Sequence, residues 1–331
     1  MDDLKSLRDL RADAPEPDAD RLRALRARSL RRRHRFRPVL SLSMAMAATV
    51  AVIAAVVVVV NDDERSAARP PVTVEATPVS AEVMLRQAAL TAEKRRPDRT
   101  PPRPDQWLYR KSVGIQPADG SVDVQEHWTR YDGTRQATRL DSGPMETRTI
   151  ELDPGNDDLS PRQYAARLAR LPTDPDRLLA HVKGDRHWRD KPDEERGLDE
   201  PPDARAFRVL SLYLGQEVYM PPKLEAAIFR ALARIPGVRV DLGVRDAAGR
   251  AGMGIAYEVG APGFGTQRDE NGQVTQRSYV ILDSTTYRYL GSRTDYLQDY
   301  LIKGEVAFPK GGVFATAEVA AGVVDEPGQI P

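Results

Sequence analysis

Cysteine and histidine, two residue types that often carry nucleophilic, acid–base and metal chemistry, are scarce in this chain. It contains no cysteine and only four histidines among 331 residues. Without cysteine there are no disulfides, thiolate zinc sites or cysteine nucleophiles. His181 and His187 flank Asp185 in one polar stretch, but their spacing matches no standard metal site. The sequence therefore predicts no metal centre.

Sequence motifs that mark catalysis are also missing. The chain has no G-x-S-x-G elbow, no phosphate-binding loop and no H-E-x-x-H pair. The G-x-G pairs at 252–254 and 263–265 lack the third glycine of a dinucleotide fingerprint and indicate turns or bulges. Acidic residues are numerous, but none lies in an apolar context that would raise its pKa for general acid catalysis. We expect a non-enzymatic protein without a cofactor, while a glycosidase-like pair of carboxylates stays open.

Three aromatic residues have the clearest potential for ligand binding. Trp107 and Tyr109 alternate in QWLYRKSVGI, and Trp128 ends the alternating stretch SVDVQEHW. Alternation of this kind predicts strands with one apolar face. On a curved sheet covered by helices, the three rings would line an apolar ligand cavity. An ordinary hydrophobic core is the alternative interpretation. His127 neighbours Trp128 on the same strand and is expected to point to the other face.

Residues 39–60 carry no charge and are long enough to cross a bilayer as a helix. Acidic residues follow this segment and arginines precede it, which predicts a cytoplasmic N-terminus and an extracytoplasmic remainder. A cleaved signal peptide with its site near 66–68 and a buried soluble helix are the alternatives. The chain is thus predicted to be a single-pass plasma membrane protein. The arginines nearest the segment are Arg31, Arg32, Arg33, Arg35 and Arg37.

The arginine block is not expected to bind nucleic acid. It adjoins the predicted span, so membrane topology accounts for it better than phosphate contacts do. It is expected to contact anionic lipid head groups. Leu22 and Leu25 form an apolar stripe in the tail that could dock on a cytoplasmic regulator such as a sigma factor. A basic helix lying on lipid is the alternative.

The chain divides into four predicted regions. Residues 1–38 form the basic cytoplasmic tail, 39–60 the transmembrane helix, 61–104 a linker rich in proline and charge, and 105–331 an extracytoplasmic domain. In this domain, alternating segments flank a block of helical stripes. Such an order predicts an α+β fold, with a curved, half-barrel-like antiparallel sheet packed against helices.

Several longer segments carry a resemblance to a known family. They include LRDLRADAPEPDADRLRALRARSL, RLPTDPDRLLAHV, PPKLEAAIFRALARIPGVRVDLGVRDAAGRAGMGIAYE, VILDSTTYRYLG and GVVDEPGQIP. With the single span, they make the chain resemble a family of uncharacterised actinobacterial single-pass membrane proteins. Members are often encoded beside extracytoplasmic-function sigma factors, which implies a role in envelope signalling. In outline, the outer domain is also similar to the half-barrels of periplasmic lipoprotein carriers and of envelope-stress regulators that bind anti-sigma factors.

The leading functional hypothesis is an envelope sensor or accessory protein whose outer domain binds an apolar ligand or an envelope protein. A true anti-sigma factor is a less suitable interpretation, because the tail is short and has no zinc motif. A membrane-tethered carrier or chaperone of lipids or lipoproteins is the alternative from another class. An enzyme would become plausible if the fold brought buried polar groups together.

Overall fold

The computed structural model describes residues 77–95, 101–151, 159–185, 200–215, 220–259, 265–302 and 304–331. The predicted tail and span, with Leu22, Leu25 and the five flanking arginines, lie outside the described residues, and so does His187. Among the helices of the described ranges, none is long and apolar enough to cross a bilayer. The membrane span therefore stays a prediction from the sequence.

The described part of the chain contains thirteen strands and five helices. The strands are β1 (Thr77–Val79), β2 (Trp107–Ile115), β3 (Val122–Arg130), β4 (Arg135–Leu140), β5 (Glu146–Thr149), β6 (Val238–Arg245), β7 (Ala251–Tyr257), β8 (Gln267–Arg268), β9 (Val274–Leu282), β10 (Tyr289–Tyr296), β11 (Tyr300–Ile302), β12 (Glu305–Phe308) and β13 (Val313–Val324). The helices are α1 (Ala81–Glu93), α2 (Pro161–Leu168), α3 (Pro175–Gly184), α4 (Pro202–Leu214) and α5 (Pro222–Leu232).

One large antiparallel sheet organises the domain. Its strand order is β1-β6-β7-β9-β10-β13-β2-β3-β4-β5, with β8 pairing β9, and β11 and β12 form a separate hairpin. Strand β13 lies between β10 and β2 and pairs with both in antiparallel fashion. It therefore joins the half built by β2–β5 to the half built by β6–β10. The predicted α+β class with an antiparallel sheet is confirmed, and the sheet is large.

The helices begin where local sequence rules place them. Ser160 caps α2 in a capping box with Gln163, and Asp174 caps α3 by accepting from the backbone N–H of Arg177. Each of α2–α5 has proline in its first turn. Proline suits this position because its missing N–H would have no partner there.

The helices cover one face of the sheet half that contains β6, β7 and β9. Their main hydrophobic core includes Phe207, Ile228 and Phe229 from the helices and Met253 and Ile255 from β7. The intervening sheet residues form a separate small cluster, because successive side chains on a strand point to opposite faces. This second cluster contains Val244, Ala256, Tyr279 and Ile281. We call the two sides of the sheet the helix face and the opposite face.

The folded domain begins before the boundary that the sequence predicts. Residues 61–104 read as a linker, but β1 pairs with β6, and α1 contributes Leu85 and three alanines to the main core. Arg95 also bonds the buried carboxylate of Glu225 and the backbone oxygen of Thr286. Because prolines and charged residues flank α1 on both sides, the sequence indicates a linker there. The folded region therefore includes residues 77–95 as well as the described residues from 105 onward.

Candidate functional site

Trp107, Tyr109 and Trp128, the predicted pocket residues, lie together on the opposite face. Tyr109 and Trp128 are direct cross-strand partners on β2 and β3, with ring centroids 5.2 Å apart. The three side chains pack with Ala137 and Val324 and are 4%, 1% and 0% exposed, respectively. We call this group the aromatic cluster. It is closed to solvent in this structure.

A carboxylate and two guanidinium groups surround the aromatic cluster. Tyr109 donates its hydroxyl hydrogen to Glu126 Oε1 at 2.7 Å, and Arg139 donates to Glu126 Oε2 at 3.1 Å. Arg139 also lies over the ring of Trp128, and Arg135 lies over that of Trp107, at 5.4 and 5.7 Å. Burial and the bond to Glu126 raise the pKa of Tyr109. Burial opposes ionisation of Glu126, but the two hydrogen bonds lower its pKa.

The helix face of β2, β3, β10 and β13 carries a set of polar side chains that the sequence did not reveal as a group. Arg110 Nε and Glu318 Oε2 form an ion pair at 2.6 Å, with side chains 11% and 8% exposed. Ser292 and Thr316 are bonded through their hydroxyls at 2.9 Å. Tyr289 lies against Gly215 at the end of α4. We call Arg110, His127, Tyr289, Ser292, Thr316 and Glu318 the polar cluster.

The pKa values of His127 and Tyr289 in the polar cluster are both shifted away from pH 7. Burial, aided by the charges of Arg110 and Arg148, lowers the pKa of His127 from its ordinary value of 6.5, so the imidazole is neutral at pH 7. Burial raises the pKa of Tyr289, which keeps its hydroxyl protonated. The charges of Arg110 and Glu318 compensate each other. A general acid or base needs a pKa near the working pH. The pKa of His127 is lowered and that of Tyr289 is raised, so both move away from pH 7.

The candidate metal ligands His181 and Asp185 pair with each other and with an arginine. His181 Nε2 lies 3.5 Å from Asp185 Oδ2, and Arg167 donates to the same oxygen at 3.1 Å. They line a cleft of about 470 Å³ between α2 and α3. Within the described ranges, no group of three or more metal-binding side chains occurs.

A further buried carboxylate, Asp241, serves the packing of the opposite face. It is fully buried and accepts from Arg239 Nε at 2.7 Å and from the Tyr279 hydroxyl at 3.1 Å. Tyr279 reaches it across Gly254, where a Cβ would come within 2.9 Å of the Tyr279 ring and 2.6 Å of Val244. Burial and the charge of Asp241 raise the pKa of Tyr279 to about 12. This network explains why β7 has glycine at position 254.

The sequence analysis did not predict the polar cluster, because its residues are far apart in the sequence. Alternation already places Arg110 and His127 on the face away from Tyr109 and Trp128, and the two are cross-strand partners. Glu318 joins them only because β13 pairs with β2. That pairing links segments about 200 residues apart, and no local sequence rule reports it.

Comparisons with known proteins do not extend this picture. Neither the family models, nor the curated proteins, nor the solved structures give a match to the chain. The structure defines an α+β protein built on one large antiparallel sheet, with polar and aromatic clusters on opposite faces of its central strands. A functional assignment therefore depends on these clusters and on the sequence.

Proposed function

We propose that the chain is a non-enzymatic, single-pass membrane protein whose outer domain binds a ligand or an envelope partner. In this proposal it acts as a sensor or accessory protein in signalling by extracytoplasmic-function sigma factors. The observation that carries the non-enzymatic part is the sequence, which has no G-x-S-x-G elbow, no phosphate-binding loop and no H-E-x-x-H pair. In the polar cluster, the hydroxyls of Ser292 and Thr316 bond each other and Arg110 pairs with Glu318, which supports a binding role.

The membrane part of the proposal is supported by the sequence. Residues 39–60 are apolar, and the flanking arginines favour a cytoplasmic N-terminus. The described part of the domain begins at Thr77, so residues 61–76 would connect it to the span. A reporter that is active only outside the cell should work when fused after Asp63 and fail when fused before Arg31. The reverse pattern would refute the topology.

The signalling part depends on the tail. Ligand binding outside would change which partner Leu22 and Leu25 contact inside. A single helix transmits such a change only if the protein dimerises or exchanges partners, because coupling requires two states that both sites distinguish. The resemblance to proteins encoded beside sigma factors supports a sigma factor as the cytoplasmic partner.

A crosslinked pull-down of the full chain from native membranes tests the function. We expect a sigma factor among the recovered proteins and at least a tenfold loss of it when Leu22 and Leu25 are both replaced by Asp. The matched control replaces Leu4 and Leu7 by Asp, which adds the same charge elsewhere in the tail. Equal recovery from both double variants, or no sigma factor at all, would contradict the proposal.

A carrier of lipids or lipoproteins is the second candidate, and the β11–β12 hairpin favours it. The rings of Tyr296, Tyr300 and Phe308 pack together at its base, with centroid distances of 4.9 to 5.7 Å. Beside them, Leu301 and Val306 are 56% and 55% exposed. Leu301 and Val306 are direct cross-strand partners, and adjacent exposed apolar side chains of this kind mark contact surfaces for proteins or lipids.

Lipid transfer separates the two candidates. The carrier function predicts that the purified protein moves labelled lipid between vesicles and that Leu301→Asp reduces the rate severalfold. Val83→Asp is the control, because Val83 is 60% exposed on α1, away from the hairpin in sequence. No transfer by the unaltered protein would exclude the carrier and leave the sensor proposal in place.

A further inference from the structure

Residues 325–331, which we call the closing segment, lie across the part of the aromatic cluster that contains Tyr109 and Trp128. The indole N–H of Trp128 donates to the backbone oxygen of Gln329 at 2.8 Å. The ring of Pro331 lies so close to Gly322 that a Cβ at position 322 would overlap it. Gly322 pairs with Tyr109, and Tyr109 pairs with Trp128. The closing segment therefore runs across β13, β2 and β3, above Tyr109.

The closing segment is attached by few bonds. Gln329 Oε1 accepts from the backbone N–H groups of Asp325 and Glu326 at 3.1 and 3.2 Å, which holds the segment in a turn. Asp325 accepts from Arg103 and Gln106 at its beginning. Beyond the turn, the bond from Trp128 and the packing of Pro331 hold it on the cluster. Ile330 is 63% exposed. The segment lies on the sheet without being one of its strands.

The contacts correspond to a known mode of peptide recognition. Domains that bind extended proline-containing peptides present flat aromatic surfaces, which accept the proline rings of a preformed extended chain. Here an indole N–H bonds a peptide carbonyl, and a proline two residues later packs against the sheet surface beside Tyr109. Arg135 and Arg139 stack on the two indoles and form the border of the cluster.

We propose that Trp107, Tyr109 and Trp128 form a binding site for an extended, proline-containing peptide segment of a partner protein. The closing segment occupies this site within the same chain. A partner must displace it, so its apparent affinity is reduced by the fraction of molecules in which the site is open. Release of the closing segment is expected to strengthen partner binding by at least about tenfold, if the site is open in a tenth of the molecules or fewer.

The test uses the full chain and a fluorescent peptide of sequence DEPGQIP as the probe. Trp188 is replaced by Phe throughout, so that Trp107 and Trp128 report alone. The double substitution Gln329→Ala and Pro331→Ser loosens the turn and removes the proline, and it leaves the site itself unaltered. Indole emission and fluorescence polarisation of the probe are measured for this released variant and for the chain that retains Gln329 and Pro331.

We expect the indole emission of the released variant to shift to longer wavelength and to return when the probe is added. Its affinity for the probe should exceed that of the unreleased chain at least tenfold. Adding Gly322→Ala to the released variant should abolish binding, because the new methyl group fills the place of the proline. Gly184→Ala, where a Cβ meets no atom within 4 Å, should have no effect.

A second substitution tests the same site without changing the backbone at Gly322. Trp128→Phe in the released variant retains an aromatic ring but removes the N–H donor, and it should weaken probe binding severalfold. Urea midpoints establish that each variant is folded. The proposal is overturned if a folded released variant fails to bind the probe. It is equally overturned if binding survives Gly322→Ala.

Discussion

Residues 77–95 should decide whether the domain folds. A chain that begins at residue 96 lacks β1, α1 and Arg95, although the sequence alone predicts an independent domain from 105 onward. Two lost contacts account for most of the expected decrease in the free energy of unfolding. Leu85 is fully buried in the main core, and the carboxylate of Glu225, itself buried, loses the guanidinium of Arg95.

The magnitude follows from these two contacts. Removing a buried leucine side chain costs about 2–5 kcal/mol, and leaving one partner of a buried ion pair alone costs about 3–5 kcal/mol. Together they reach roughly 5–10 kcal/mol, against a total stability of about 5–15 kcal/mol for a typical domain. The shortened chain is therefore expected to be unfolded, or close to unfolded, at 25 °C.

Urea unfolding followed by circular dichroism compares chains that begin at residues 74 and 96. The longer chain should unfold cooperatively, and the shorter one should show no cooperative transition. Within the longer chain, Leu85→Ala should lower the free energy of unfolding by about 2–5 kcal/mol. Leu90→Ala, on the exposed side of the same helix, should change it by less than about 0.5 kcal/mol. Equal urea midpoints for the two chains would refute the reasoning.

Three further predictions concern individual side chains. The pKa of His127 is lower in the folded chain, so the unfolded chain takes up a proton at higher pH than the folded chain does. The contribution of neutral His127 to stability is therefore present above about pH 6.5 and is lost as the pH falls toward the folded-state pKa. His127→Gln should flatten the decline of the urea midpoint between about pH 7 and 5, and an unchanged slope would contradict this. Gly254→Ala should cost about 1–3 kcal/mol through overpacking, whereas Gly184→Ala should be nearly neutral in the same urea experiment. Tyr279→Phe should cost about 1–3 kcal/mol, because the fully buried Asp241 loses a donor, and a midpoint equal to that of the unaltered protein would show that Asp241 does not need this bond.

Elements governed by local rules were predictable. The alternation in Trp107–Ile115 and Val122–Arg130 gives both strands, and the cap and proline at Ser160 and Pro161 give the start of α2. The same alternation assigns Tyr109 and Trp128 to one face. These features depend on neighbours within a few residues, so the sequence displays them directly.

Features that depend on distant partners were not predictable. Helix α1 lies within the segment that the sequence predicts to be a linker, because its partner α5 is more than a hundred residues away. The polar cluster needs the pairing of β13 with β2, and the cover of the aromatic cluster needs the closing segment, which has no periodic pattern. The short strands β11 and β12 carry no apolar alternation around Lys303 and Gly304. In each case the determining contact is non-local.

The position of β13 also has a consequence for how the chain is made. Strands β2 to β5 can pair as soon as they are synthesised, and β6 to β10 can pair after them. Strands β10 and β2 each gain their second neighbouring strand only when residues 313–324 have been synthesised. During synthesis or export from the N-terminal end, two sheet edges therefore stay open until residues 313–324 have emerged. Open edges promote aggregation. This protein should therefore depend on a chaperone that shields unpaired strands more than does a protein whose neighbouring strands are also consecutive in sequence.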